Sequence, residues 1–310
     1  MVSRTVTSGS KRAILLLVLA AAMLPATASA RLRVVTTTQD PGSIVKAIGG
    51  DRVAVTTLCK GFQDPHFLDA KPSYMLELNE ADLLVVIGLG LEIGSVPTLT
   101  TGARNDKVLP GKAGFLDLST GITPLEVLPI ADRSQGDIHP NGNPHYWSDP
   151  ENGRIMAREI GARLDQLDPD GKATYDANLA AWEKQLDAKE ALWAAQMAPL
   201  KGAKIVTYHE SWPYFARRYD LEIVDQVEPK PGIPPTPAHT LDLIRLMQDQ
   251  KVKIILMESF YDAKVAQLIA DKTGARLLVV PGSVHGDPGV PDYFALIDEI
   301  VAELSKTAKS

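Results

Sequence analysis

The sequence holds a single cysteine, Cys59, so no disulfide can form within the chain. The compact metal and redox motifs are missing as well. There is no Cys-x-x-Cys pair and no His-Glu-x-x-His. His209-Glu210 begins like the latter, but Pro213 stands where its second histidine would be. An excess of cations is also lacking. The net charge is −6, and an acidic balance argues against nucleic acid or an anionic membrane surface as partner. No Gly/Ser-rich linker, low-complexity tract or solenoid-length repeat interrupts the chain. Cys59 closes the apolar stretch at residues 53–58, so a buried, inert thiol is expected.

What is present begins with an export signal. Arg4, Lys11 and Arg12 form a basic start, residues 13–24 are almost wholly apolar, and Ala28-Ser29-Ala30 fits the small-x-small cleavage rule. The apolar run is too short for an ordinary membrane-spanning helix. Cleavage after Ala30 and a soluble periplasmic product are expected. No cysteine directly follows the apolar run, so a lipid-anchored form is not expected. Removing 30 of the 310 residues takes three cations and no acids, and leaves 280 residues with a charge of −9. That length accommodates two modest domains. A monomer is expected.

Short runs rich in β-branched or apolar residues alternate with helical patterns. Strands are predicted at 32–37, 53–58, 83–88 and 115–118, with helices at 41–48 and 73–79. The second half repeats the grammar. Strands are predicted at 203–208, 222–225, 253–257 and 276–280, and helices at 212–219, 241–250, 263–273 and 293–306. Continuously apolar strands such as residues 83–88 are buried on both faces, which implies parallel sheets built from βαβ units. Between the halves, Tyr175, Leu179, Trp182, Leu186, Trp193 and Met197 recur on one helical stripe, bounded by Pro169 and Pro199. Such a helix would be roughly 40 Å long at about 1.5 Å per residue. The expected organisation is a signal peptide at 1–30, an α/β metal-binding lobe at 31–168, a rigid linking helix at 169–199, and a second α/β lobe at 200–310.

Six histidines serve the whole chain, and three of them fall at junctions after strands. These are His66 in Asp64-Pro65-His66, His145 in Asn143-Pro144-His145-Tyr146-Trp147, and His209 in Tyr208-His209-Glu210. Neutral imidazole is the commonest metal-ligating side chain, and a three-imidazole site suits zinc. Ligands of open α/β sheets bind beyond the carboxyl ends of the strands, where these residues fall. The same words are also ordinary turn sequences, so spacing alone does not join them. Glu258, following the strand at 253–257, is the favoured fourth ligand. Asp287 stands close behind, with His285 and water as further alternatives. Three nitrogens and one oxygen would suit zinc and also admit manganese. His239 opens a helix, and neither it nor His139 is expected to be a ligand.

Taken together, four segments resemble the ZnuA/TroA-like cluster A-I family, the solute-binding proteins of zinc and manganese ABC transporters. They are Asp64-Pro65-His66; Ala81-Asp82-Leu83-Leu84-Val85-Val86 with Gly88-Leu89-Gly90-Leu91-Glu92; Asn143-Pro144-His145-Tyr146-Trp147-Ser148-Asp149-Pro150; and Tyr208-His209 with Tyr214-Phe215-Ala216-Arg217-Arg218-Tyr219. The resemblance implies two four-stranded parallel α/β domains, a backbone helix between them, and metal held in the interdomain cleft by His66, His145 and His209. It implies delivery to a permease in the inner membrane and no catalysis. An exported zinc hydrolase using Glu210, or a receptor for a chelated metal or cofactor, is the alternative. The chain departs from the family in the loop after its last strand, where an acid is usual and Pro281-Gly282-Ser283 stands. The family counterpart of Glu258 usually lies behind the ligands. The segment before the second histidine is also poor in the His and acid clusters that zinc-specific members carry.

Overall fold

The computed structural model describes residues 1–2, 31–128 and 139–309. The expected signal peptide lies almost wholly outside them. Two parallel sheets form. The first orders its strands β2-β1-β3-β4, from β1 (Leu32–Thr36), β2 (Val53–Thr57), β3 (Leu83–Val86) and β4 (Phe115–Asp117). The second has the order β6-β5-β7-β8, from β5 (Lys204–Thr207), β6 (Glu222–Gln226), β7 (Ile254–Glu258) and β8 (Arg276–Val280). The expected pair of four-stranded sheets is therefore observed. The central strand follows from composition: Leu83, Leu84, Val85 and Val86 are all buried, as a strand covered on both faces requires. In each sheet the strand order reverses beside the first strand, which opens a crevice at its carboxyl end.

Helices α1 (Gln39–Gly49), α2 (Pro72–Asn79) and α3 (Val96–Ala103) serve the first sheet, and α4 (Pro150–Leu167) packs on α1. The second sheet carries α6 (Pro213–Tyr219), α7 (Pro237–Asp249), α8 (Lys264–Thr273) and α9 (Tyr293–Ser305). The expected long helix is α5 (Lys172–Met197), 26 residues and about 39 Å long. Its buried stripe is Tyr175, Trp182, Leu186, Trp193 and Met197, and Leu179 is half-buried. Each end is fastened to a different sheet's helices. Near its start, Asn178 Nδ2 donates to Ile48 O at the end of α1 (2.8 Å), and Arg52 grips Asp168 through two bonds of 2.7 and 2.8 Å. Near its end, Trp193 Nε1 donates to Asp298 Oδ1 on α9 at 2.8 Å. One continuous core runs from Val34 and Ile44 through Trp182 to Ile297 and Leu304. A helix tied at both ends into one core behaves as a strut, not as a hinge.

Bonds also cross directly between the halves. Asp40, fully buried on α1, accepts from Ser283 Oγ (2.6 Å) and Val284 N (3.0 Å) in the loop after β8. Trp147 Nε1 donates to Gly282 O at 3.2 Å, and the Tyr293 hydroxyl donates to Trp147 O at 2.7 Å. Among the described residues, no helix is long and apolar enough to cross a membrane.

Candidate metal centre

His66 and His145 are placed by the same three-residue device. In Asp64-Pro65-His66, the Asp64 Oδ1 accepts from both the His66 backbone N (3.0 Å) and its ring Nδ1 (2.7 Å). In Asn143-Pro144-His145, the Asn143 Oδ1 accepts from the His145 N and Nδ1, each at 2.9 Å. A short Asx side chain folds back onto the backbone two residues on, and the intervening proline fixes φ for that turn. His209 reaches the same end differently. It lies two residues beyond β5, and its Nδ1 sits 2.7 Å from Glu228 Oε2, just past β6.

These contacts settle the tautomers. An ionised carboxylate and an amide oxygen only accept, so each Nδ1 donates, and in the neutral ring each Nε2 presents its lone pair. The Asn143 amide is oriented by its own Nδ2, which donates to Glu126 Oε2 (2.8 Å) and Glu210 O (2.6 Å). The three imidazoles converge: one ligand atom from each lies within 4.8 Å of the others. Ring centres are 5.0 Å apart for His66 and His145, 5.2 Å for His66 and His209, and 5.3 Å for His145 and His209. Burial, then the neighbouring His66, His209 and His139 charges, hold His145 well below the ordinary histidine range. An imidazole that resists protonation keeps its lone pair available for a metal. Burial works against the Asp64 charge, yet the hydrogen bonds and charge of His66 together outweigh it and keep that carboxyl below its usual value. Asp64 and Glu228 thus place two negative charges directly behind the rings, enough to balance a divalent cation without binding it.

The sequence-predicted fourth ligand is placed beside this trio but not within it. Glu258 ends β7 and lines an enclosed cavity with His66, His145, Cys59 and Asp40. Burial pushes its carboxyl up to about 8, against the opposing pull of the Ser211 hydroxyl. Neither of its oxygens has a hydrogen-bond partner of regular geometry. Asp287 and His285 lie beyond β8, and neither belongs to the converging group. Ser283, in the loop after β8, is occupied with Asp40. Cys59 is buried as expected, and burial, then the charges of Asp64 and Asp40, push its thiol up to about 12. Glu210 is pushed up to about 7 by burial and by the Glu126 charge.

Two features went unread in the sequence. His139, which was not expected near the metal, has its Nε2 3.2 Å from His66 Nε2. Glu228 was not singled out, since its link to His209 spans 19 residues and two strands. His239 is where it was expected, outside the group, with Nε2 2.9 Å from Gln226 O.

Comparison with known proteins agrees with this geometry. Residues 34–307 match the model of the family described as zinc-uptake complex component A, periplasmic. The metal ABC transporter substrate-binding lipoprotein SsaB of Streptococcus sanguinis is 28% identical over 287 residues, covering 90% of this chain and 91% of SsaB. The manganese ABC transporter substrate-binding lipoprotein PsaA of Streptococcus pneumoniae is 29% identical over 244 residues, covering 78% and 76%. Among solved structures, a crystal structure of ZnuA superposes with a TM-score of 0.75 at 27% identity, over 90% of this chain and all of that one. The Cd-bound periplasmic metal binding protein from candidatus liberibacter asiaticus shares the fold, with a TM-score of 0.75 at 23% identity over 90% and 100%. With its paired parallel sheets, its strut helix and residues 34–307 matched, the chain belongs to the zinc-uptake complex component A family.

Proposed function

We propose that this protein is the solute-binding component of a metal ABC importer, capturing a divalent cation outside the cytoplasm and handing it to an inner-membrane permease. The observation that carries the reading is the convergence of His66, His145 and His209, each with Nδ1 anchored by a hydrogen bond, which leaves Nε2 as the ring nitrogen available to an ion. Three neutral nitrogens favour borderline zinc over harder manganese, which prefers more oxygen. His66, His145 and His209 hold the ion, and Glu258 stands next to them as the nearest candidate among the acids expected from the sequence. Lobes at 31–168 and 200–310 face each other across this site, with 169–199 as their strut. Export by cleavage after Ala30 fits the buried position of Cys59, which is unsuited to carry a lipid. The family is one of transport proteins, and the buried, charge-balanced trio serves retention and release of an ion instead of turnover.

The test is direct. Mature protein, stripped of metal and titrated with zinc, should bind one tight equivalent, and alanine at His66, His145 or His209 should weaken it strongly. Unchanged affinity in all three variants would sink the reading.

A further inference from the structure

We infer that His139 is the fourth ligand, so that the ion is held by four imidazole nitrogens and no carboxylate oxygen. This rests on the three-histidine reading above and extends it.

The argument is geometric. Zinc–nitrogen bonds are about 2.0–2.1 Å, so two nitrogens on a tetrahedral zinc stand about 3.3 Å apart. The His66 and His139 Nε2 atoms are separated by 3.2 Å. With about 1.1 Å from nitrogen to ring centre, imidazole centres around such an ion would be about 5.2 Å apart. The His66–His139 centres are 5.3 Å apart, in line with the three pairs already described. The His139–His145 distance is 6.2 Å, about 1 Å more than that, so His139 must move toward His145 to complete a tetrahedron. Asp64 holds the proton on His66 Nδ1, so in the neutral ring Nε2 presents its lone pair. The atom that His139 approaches is therefore the lone pair that would bind the ion.

The rival is a plain hydrogen bond, with His139 Nε2–H donating to His66. The acid alternatives fit less well. Asp287 and His285 lie outside the converging group, and Ser283 is engaged with Asp40. Glu258 lines the adjoining cavity and, like His139, is not among the residues whose atoms all lie within 4.8 Å of one another; His139 is set apart by its 3.2 Å approach to His66 Nε2. Four nitrogens would make the site more selective for zinc over manganese than a three-nitrogen, one-oxygen set.

Cobalt(II) and zinc are the probes. Wild type should show the intense visible absorption of tetrahedral cobalt, and X-ray absorption of the zinc form should count four imidazoles. His139→Ala should give three imidazoles plus oxygen and shift the cobalt spectrum. Its zinc affinity should fall roughly tenfold or more, with manganese affinity little changed. Added free imidazole should restore the wild-type spectrum. Glu258→Gln should leave the imidazole count and the spectrum as in wild type. Four imidazoles in His139→Ala, an unchanged spectrum, or a spectrum altered only by Glu258→Gln would overturn the assignment while leaving the three-histidine reading intact. Failure of His66→Ala, His145→Ala and His209→Ala to weaken zinc would instead remove the reading itself.

Discussion

Glu228 Oε2 lies 2.7 Å from His209 Nδ1, and both residues are buried. Glu228 also accepts from Gly232 N at 3.3 Å, so its carboxylate is positioned from both sides. It fixes the His209 tautomer and supplies charge behind the ring. Glu228→Ala should therefore weaken zinc binding by about 10–100-fold although Glu228 does not touch the ion. Glu228→Gln keeps an acceptor and should lose less. Competition titration against a chelator of known affinity measures both. Equal, wild-type affinities would show that His209 orients itself.

Asp40 and Ser283 join the halves of the chain across 243 residues. Asp40→Ala would leave the Val284 N–H and the Ser283 hydroxyl buried without an acceptor, at about 1–3 kcal/mol each. A drop of several degrees in the melting temperature is expected. Ser283→Ala removes only one donor and should cost about 1 kcal/mol. Thermal unfolding followed by circular dichroism gives both values, and Ser283→Ala as damaging as Asp40→Ala would refute this account.

Glu258 sets a pH dependence for the metal-free protein. Its carboxyl is raised by burial from 4.5 to about 8, so the folded state holds a proton that the unfolded chain releases. The stabilisation is complete below about 4.5 and is lost as pH rises, with the loss ending near 8. The slope approaches about 1.4 kcal/mol per pH unit. Over the stretch from about pH 6.5 to about 8 it shares that loss with Glu210, raised by burial to about 7. Asp40, raised by burial to about 6, has largely finished titrating there, and burial lowers His139 to about 3. Glu258→Gln should make the stability profile shallower across that stretch in denaturant titrations, leaving the part that Glu210 carries. An unchanged slope would place the titration elsewhere.

Metal occupancy should stabilise the fold by mass action. Zinc at about a thousand times its dissociation constant contributes about 4 kcal/mol, provided the unfolded chain does not bind it. The melting temperature should rise with zinc, fall back on chelation, and respond much less in His66→Ala. A melting temperature indifferent to zinc in wild type would contradict a preformed trio.

Much of the architecture was legible. Val34, Val85, Ile205 and Ile255 sit where apolar runs predicted buried strands, and the Trp182–Trp193 stripe marked the strut. Helix α4 was missed because Asn152, Gly153 and Gly161 weaken its local signal. Tertiary packing explains both glycines. A side chain at Gly153 would meet the Tyr293 hydroxyl at 2.4 Å, and one at Gly161 would press on Leu179 at 3.2 Å. The start of α4 did leave a trace, since Asp149 caps it by accepting from Glu151 N and Pro150 occupies its first turn. The three histidines were legible as candidates because each follows a strand. Their union came only through the family resemblance, because spacing alone cannot show that two sheets meet. Glu228 and His139 carry no local signal at all, as each acts on a histidine far away in sequence.

The paired Asx-Pro-His turns have a consequence for how such sites arise. Each turn sets backbone and ring orientation within three consecutive residues, and the Asn143 turn adds the hold of Glu126 and Glu210 on its amide. It is a compact unit of coordination chemistry. A loop acquires a correctly aimed, correctly protonated imidazole in one step, and the fold need only bring two such loops face to face. New metal centres can therefore be assembled by transplanting a tripeptide, where a residue like His209 demands a distant carboxylate as well.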